Sequence, residues 1–227
     1  MPNDYYEGLT GEQKALIEKH LDLVIEANKV TNITRIDSKE AGRLLHIEDS
    51  LSALPEIKNA PTGKYIDLGS GGGFPGIPIA IATGRKTTLI DAREKKVDLL
   101  NQFAEQLGIS DSVQAVHTRI EEFSRKHKYQ YSLVTARALA KLSILMEFSS
   151  PLLREDGLLV CYKARLEEAE LLHAKKVCKI VGMKYIGRRD FLLSDEETQR
   201  CIVVFKKVGN STIKLPRKDG YAQKKPL

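Results

Sequence analysis

Apolar residues follow two regimes along this chain: helical spacing up to about residue 60, and short β-branched runs between helical stretches beyond it. Leu16, Ile17, Leu21, Val24 and Ala27 recur three and four residues apart, behind a Thr10 and Gln13 pair at capping-box spacing, and predict a first helix. A second is expected from about Ser38, with Leu44, Leu45, Ile47 and Leu51 on its buried face, stopping before Pro55. Thr31, Asn32, Ile33 and Thr34 connect the two.

After Pro61 strands are predicted over 64–68, 87–90, 112–117, 131–135 and 157–162, with helices over 76–83, 94–107 and 166–180. Segments 185–193 and 201–205 close the sheet as a final pair. Short apolar strands alternating with helices predict an α/β fold, a mostly parallel sheet with helices on both faces. The expected division is a helical extension over 1–60, a sheet domain over 61–207 and a basic tail over 208–227.

One stretch breaks the pattern. The strand Tyr65-Ile66-Asp67-Leu68 ends in Gly69-Ser70-Gly71-Gly72-Gly73-Phe74-Pro75-Gly76 before the next helix. Glycines there let a backbone approach a ligand closely, and the strand–turn–helix context is that of a nucleotide-type cofactor site. A dinucleotide G-x-G-x-x-G counted from Gly69 needs glycine where Phe74 stands, and the register from Gly71 begins two residues past the strand and sets Pro75 and Pro78 in the turn and first helical residues. No G-x-x-x-x-G-K-[ST] occurs. Asp67-x-Gly69-x-Gly71-x-Gly73 instead matches the cradle of S-adenosylmethionine-dependent methyltransferases.

In an open parallel sheet, ligands sit outside the carboxyl ends of the strands. Asp91, ending the second strand, is placed either to bind ribose hydroxyls or to cap the following helix. After the third strand, Ile120 and Glu121 either contact an adenine ring and its edge or belong to a charged surface loop. Arg137 ends the fourth strand; packing does not account for a guanidinium there, so it is expected to face the cleft as a positioning residue. No Asn-Pro-Pro-Tyr or Asp-Pro-Pro-Tyr sequence is present, and none of the three cysteines has the setting of a pyrimidine nucleophile. The methyl acceptor should therefore need little activation, as guanine N7 does with its in-plane lone pair. Orientation alone supplies roughly 7–11 kcal/mol for such a transfer, and no general base is expected.

Charge sharpens the choice of partner. From Lys206 onward seven basic residues stand against Asp219 alone, which accounts for the whole net charge of +6. Such a tail either lies along a phosphate backbone or is a solvated terminus; its Pro216, Gly220 and Pro226 argue against helix. Lys163, Arg165, Arg188, Arg189 and Arg200 either extend a phosphate-binding surface to Arg217, Lys218, Lys224 and Lys225 or are ordinary solvated charge. Cys161, Cys178 and Cys201 have neither disulfide nor zinc spacing, and no metal is expected. The longest apolar run is too short for a bilayer, and Met1 to Asp4 lack a signal-peptide pattern, so a soluble, cytoplasmic protein is expected.

Asn32-Ile33-Thr34, Arg43, His46, Asp49-Ser50, the run from Asp67 to Pro78, Thr135 to Ala138, and Pro216-Arg217-Lys218 through Lys224-Lys225-Pro226-Leu227 closely resemble the bacterial ribosomal RNA small subunit methyltransferase G family, also called glucose-inhibited division protein B. Ser70 replaces a frequent threonine and keeps its hydroxyl. The resemblance implies a Rossmann-like methyltransferase fold, a seven-stranded sheet whose last strand is antiparallel, and methyl transfer from S-adenosylmethionine to N7 of a guanine in 16S ribosomal RNA near the decoding centre. It implies cofactor contacts at Gly69, Phe74, Ile120, Glu121 and Arg137, to which the spacing argument adds Asp67, Gly71, Gly73 and Asp91. The implied partner is 16S ribosomal RNA or the small subunit; nothing points to a permanent dimer, and a monomer is expected. For His46, the alternatives are a satisfied histidine bridging helix and core or a substrate contact.

Overall fold

Thr10 caps the first helix as its spacing predicts. In the computed structural model, which describes residues 6–227, helix α1 (Gly11–Thr31) opens with the Gln13 amide donating to Thr10 Oγ1 while the Thr10 amide donates to Gln13 Oε1. Met1 to Asp4, read above for a signal peptide, lie outside the described residues. Gln13 Nε2 also donates to the Ile81 carbonyl at 2.9 Å, stitching α1 to the sheet domain.

The second helical stretch, 39–51, changes pitch midway. It starts as α2 (Lys39–Gly42) behind the Ser38 cap, widens into π turns over Arg43–Glu48, and tightens again as α3 (Asp49–Leu51). Gly42 permits the contact with α1, since a Cβ there would lie 2.6 Å from Leu21 Cδ1. The helix stops as expected, but one more turn, α4 (Leu54–Ile57), carries Pro55 in its first positions, where the missing amide is no loss.

The sheet comprises β1 (Lys64–Leu68), β2 (Thr87–Asp91), β3 (Val113–His117), β4 (Tyr131–Arg137), β5 (Leu153–Lys163), β6 (Met183–Leu192) and β7 (Gln199–Lys207), in the order β3-β2-β1-β4-β5-β7-β6. Pairings from β3 to β5 are parallel, whereas β7 runs antiparallel to both β5 and β6. It is thus a mixed sheet with two antiparallel pairings at one edge. Strand order reverses between β1 and β4, which puts the glycine run at the switch point where open α/β sheets bind ligands.

Alternating strand residues feed two cores. Tyr65, Leu133 and Val160 pack with Ile17, Leu21, Val24, Ile47, Leu51 and Ile57 of the N-terminal helices and with α5 (Gly76–Thr83) and α6 (Glu94–Gln106). Ile66, Val134 and Leu159 point the other way, toward α8 (Leu142–Ser149) and α9 (Glu168–Val181). The extension therefore shares one continuous core with the sheet.

Three helices depart from the expectations. The segment read as a loop after β3 is α7 (Ile120–Lys126). Helix α8 was not expected, and all eight of its residues are buried, Ser143 and Glu147 included. The tail, expected to be non-helical, contains the turn α10 (Tyr221–Lys224) and buries Leu215 and Ala222 in the second core. The three cysteines are buried and unbridged. No helix among the described residues is long and apolar enough to cross a membrane.

Candidate active site

The glycine loop is fixed by its own backbone and by β2. The Gly69 and Ser70 amides both donate to the Ile90 carbonyl, the Gly73 amide to Ser70 O at 2.7 Å, and the Gly71 amide to Asp91 Oδ2 at 3.0 Å. Asp91 Oδ1 accepts from the Arg93 amide at 2.9 Å, so this carboxylate ties the loop to the start of α6. It is not the N-cap of α6, a position held by Arg93 with no side-chain cap bond, and each carboxylate oxygen keeps acceptor capacity for a hydroxyl.

Of the three loop glycines with positive φ, Gly71 and Gly73 need it for different reasons. At Gly73 (φ +92°) a Cβ would sit 2.8 Å from both His20 Nε2 and Ile77 Cδ1, so that glycine is a packing requirement. At Gly71 (φ +57°) a Cβ would meet nothing nearer than 3.9 Å, so this glycine borders open space where a ligand can reach the backbone.

Two histidines of the extension set the far side of the loop. His20 Nε2 lies 3.0 Å from the Gly72 carbonyl and must carry the proton, because a carbonyl only accepts. Its Nδ1 is buried with no hydrogen-bond partner among the described residues. His46 stacks on Phe74 at 4.4 Å and 4°, and His20 packs on the same ring at 4.4 Å and 33°. Arg137 donates to His46 Nδ1 at 3.2 Å, which leaves Nε2–H to donate to Thr34 Oγ1 at 3.1 Å. Both rings are held neutral. Burial pushes His20 down to about 3 against the Gly72 bond, and burial with the Arg137 charge pushes His46 down to about 3.

Arg137 has a packing explanation after all. Its guanidinium donates to Leu45 O at 3.0 Å and Asp49 Oδ2 at 2.9 Å, with side chains only 16% and 6% exposed. Asp49 Oδ1 accepts from Arg200 Nε at 3.0 Å, so one carboxylate is shared by two arginines. The expectation of an unpartnered guanidinium facing the cleft is corrected: it is a buried clamp between β4 and the extension, and it lies 5.9 Å over the Phe74 ring.

Asp67 also lies elsewhere than the cradle spacing implied. It is 1% exposed, behind the loop, with Oδ1 accepting from Thr135 Oγ1 at 2.6 Å, and Tyr65 OH donating in turn to Thr135. Burial raises it to about 6, opposed by the Thr135 bond. Gly69, Gly71, Gly73, Phe74 and Asp91 are brought together at one end of the sheet; Asp67 supports that end from within.

Ile120 and Glu121 open α7, both buried. Glu121 Oε1 accepts from the Gly220 amide at 2.8 Å, so the tail lies against this segment. Arg217 makes a two-point ion pair with Glu147 of α8, whose carboxylate is 2% exposed, and Arg125 pairs with Asp219. Of the cations expected along a phosphate track, Lys163 is paired with Glu170, Arg188 with Asp190, Arg189 with Glu56, Arg200 with Asp49 and Arg217 with Glu147. Arg165, Lys218, Lys224 and Lys225 are exposed. Sequence reasoning missed His20 and Glu147, and it noted Asp49 only within the family resemblance, without a role. Its only signal for His20 was a polar residue amid Ile17, Leu21 and Val24 on the buried face of α1.

The switch-point glycine loop and this strand order define an α/β fold of the methyltransferase class. The geranyl diphosphate C-methyltransferase from Streptomyces coelicolor superposes with a TM-score of 0.58 at 14% identity, over 88% of this chain and all of that one. The O-methyltransferase from Bacillus cereus gives 0.57 at 15%, over 83% of this chain and 91% of that one. Residues 13–191 match the family model described as rRNA small subunit methyltransferase G. Proteins named ribosomal RNA small subunit methyltransferase G from Listeria welshimeri and Lysinibacillus sphaericus are 35% and 36% identical over 222 residues, 96% of this chain and 93% of each relative. The chain belongs to the rRNA small subunit methyltransferase G family.

Two predictions follow from the buried charges. Arg217→Ala strands the Glu147 carboxylate and should cost about 3 kcal/mol in urea unfolding, most of it recovered in Arg217→Ala/Glu147→Leu; additive losses in the double variant would refute the pairing. For pH, both histidines titrate near 6.5 when unfolded but near 3 when folded, so their contribution is complete above 6.5 and is lost as pH falls toward 3. Asp67, raised from 3.8 to about 6, opposes this between those values, because the folded state keeps its proton longer. Two histidines outweigh one aspartate, so the urea midpoint should fall from pH 7 to pH 5. His20→Gln, which keeps a donor for Gly72 O, should flatten that fall by roughly tenfold in the folding constant per pH unit.

Proposed function

We propose that this protein transfers a methyl group from S-adenosylmethionine to N7 of a guanine in 16S ribosomal RNA, acting as a monomer in the cytoplasm. The observation that carries the reading is a glycine loop with open space at Gly71, at the switch point of a chain belonging to the rRNA small subunit methyltransferase G family over nearly its whole length.

The residues present fit the cofactor. Gly71 leaves the backbone open, the loop conformation is locked by Ile90, Asp91 and His20, and the free lone pairs of Asp91 are suited to ribose hydroxyls. Ile120 at the head of α7 offers apolar surface for a purine, and Glu121 acts beside it through its bond to Gly220. When bound, S-adenosylmethionine supplies a methyl group on a positively charged sulfur, ready for displacement by a lone pair. Guanine N7 needs no proton removed, so the chain's task is orientation. Arg137 serves as a positioning residue: through Asp49 and His46 it holds the extension against Phe74 and hence against the loop.

Small subunits lacking the modification should accept one methyl group per 16S rRNA, recovered as 7-methylguanosine after nuclease digestion. Another methylated nucleoside, or none despite cofactor binding, would reject the reading. Gly71→Ala should weaken S-adenosylmethionine binding at least tenfold by calorimetry while costing the fold only about 1–2 kcal/mol for its left-handed backbone. Unchanged affinity would move the cofactor away from this loop.

A further inference from the structure

Five of the nine cations first expected to hold RNA are committed to carboxylates of the fold. On the opposite flank of the glycine loop, an open groove of about 810 Å³ runs between the end of α1 and the start of α6. Arg35, Arg93 and Lys96 line it, and none of the three has a carboxylate partner among the described residues. Asn28 and Asn32 add amide groups, and Asp37 is the one acid in the lining.

The groove is built rather than slack. The Thr34 amide donates to Asn28 Oδ1 at 2.9 Å, and Thr34 Oγ1 takes both the Ile36 amide and His46, so the loop presenting Arg35 is tied to the same histidine that stacks on Phe74. Arg93 occupies the N-cap position of α6, and Lys96 stands in its first turn, where the helix dipole adds positive potential. Lys96 Nζ lies 3.9 Å from the position a Gly71 Cβ would take, so the groove opens beside the space reserved for the cofactor. Unneutralised guanidinium and ammonium groups flanked by amide donors match phosphate oxygens, which only accept.

We propose that this groove carries the phosphodiester backbone of the ribosomal RNA flanking the target nucleotide, with Arg35, Arg93 and Lys96 as its phosphate contacts. The assignment rests on the function proposed above. It places the strand on the α1–α6 flank of the cleft and leaves the paired arginines of β6, β7 and the tail to hold the fold.

The test is Arg35→Glu/Arg93→Glu/Lys96→Glu in the full chain. Its control, Lys176→Glu/Lys179→Glu/Lys184→Glu, reverses three exposed lysines on α9 and β6 for the same change in net charge. Binding to unmodified small subunits is measured against salt, alongside methyl-transfer kinetics and S-adenosylmethionine calorimetry. Loss of three single-strand phosphate contacts should flatten the slope of log affinity against log salt by about 2 relative to the control. KM for subunits should rise at least tenfold with cofactor affinity unchanged. A slope and KM equal to the control's overturn the proposal. So does weakened cofactor binding with an unchanged slope, which assigns the groove to the methionine carboxylate. Should the reversed variant fail to fold, Arg35→Gln/Lys96→Gln must still lower the slope by more than 1. The slope does not depend on turnover, so wild-type protein that binds subunits without methylating them sinks the proposed activity and not the groove.

Discussion

Asp49 is the carboxylate on which the candidate site depends. It sits on the helical extension and takes Arg137 from the end of β4 on one oxygen and Arg200 from β7 on the other. Two cations on one nearly inaccessible carboxylate leave net positive charge, which is tolerable only because the next group is a neutral histidine and a carbonyl supplies further acceptance. Removing one partner of a buried pair costs about 3–5 kcal/mol, more than the roughly 0–1 kcal/mol that an exposed ion pair supplies. The extension is therefore a wall of the site, held with the strength of a core contact.

The π turns over Arg43–Glu48 explain how one short helix delivers so many groups to one place. An extra residue per turn shifts Leu45 O, His46 and Asp49 toward Arg137 while Ile47 and Leu51 stay in the core. From His46 the constraint passes to Phe74 by stacking, and from α1 a second route reaches the loop through His20 and the Gly72 carbonyl. The loop is thus held in front by β2 and Asp91 and behind by two rings whose neutrality is enforced by burial. Preorganisation of this kind is what a reaction limited by orientation requires.

Much of this was legible in the sequence where local chemistry decides the outcome. The capping box at Thr10, the bounds of β1 and α5, and the glycine run all follow from short-range rules. Helix α8 was not, because it is only eight residues long and follows the Arg137 to Lys141 turn directly, and α7 was not, because Glu121 and Glu122 in its first turn read as loop charge. The partners of Arg137 lie 88 and more residues away in sequence, and no local pattern links them. The tail misled for a related reason. Charge counting sees Arg217 as a free cation, whereas Glu147, buried by the apolar run around it, demands that cation for itself.

Asp67 sits at the end of β1, in the position from which a carboxylate is expected to reach a nucleoside. Its side chain falls on the Tyr65 side of the sheet, where α5 and the extension cover it, and Thr135 on the neighbouring strand is set to donate to it. Buried this way it is raised to about 6, so ionising it at neutral pH is less favourable than in water, and one oxygen remains without a hydrogen bond among the described residues. Gly76 passes so close that a Cβ there would lie 3.0 Å from that oxygen and 2.4 Å from Leu89 Cδ2. The carboxylate is thus enclosed under the first turn of α5, and its influence on the cleft runs through the backbone it supports. Asp91, one strand over and partly exposed, is the acid left in reach of a ligand, and its two backbone partners are what hold it there.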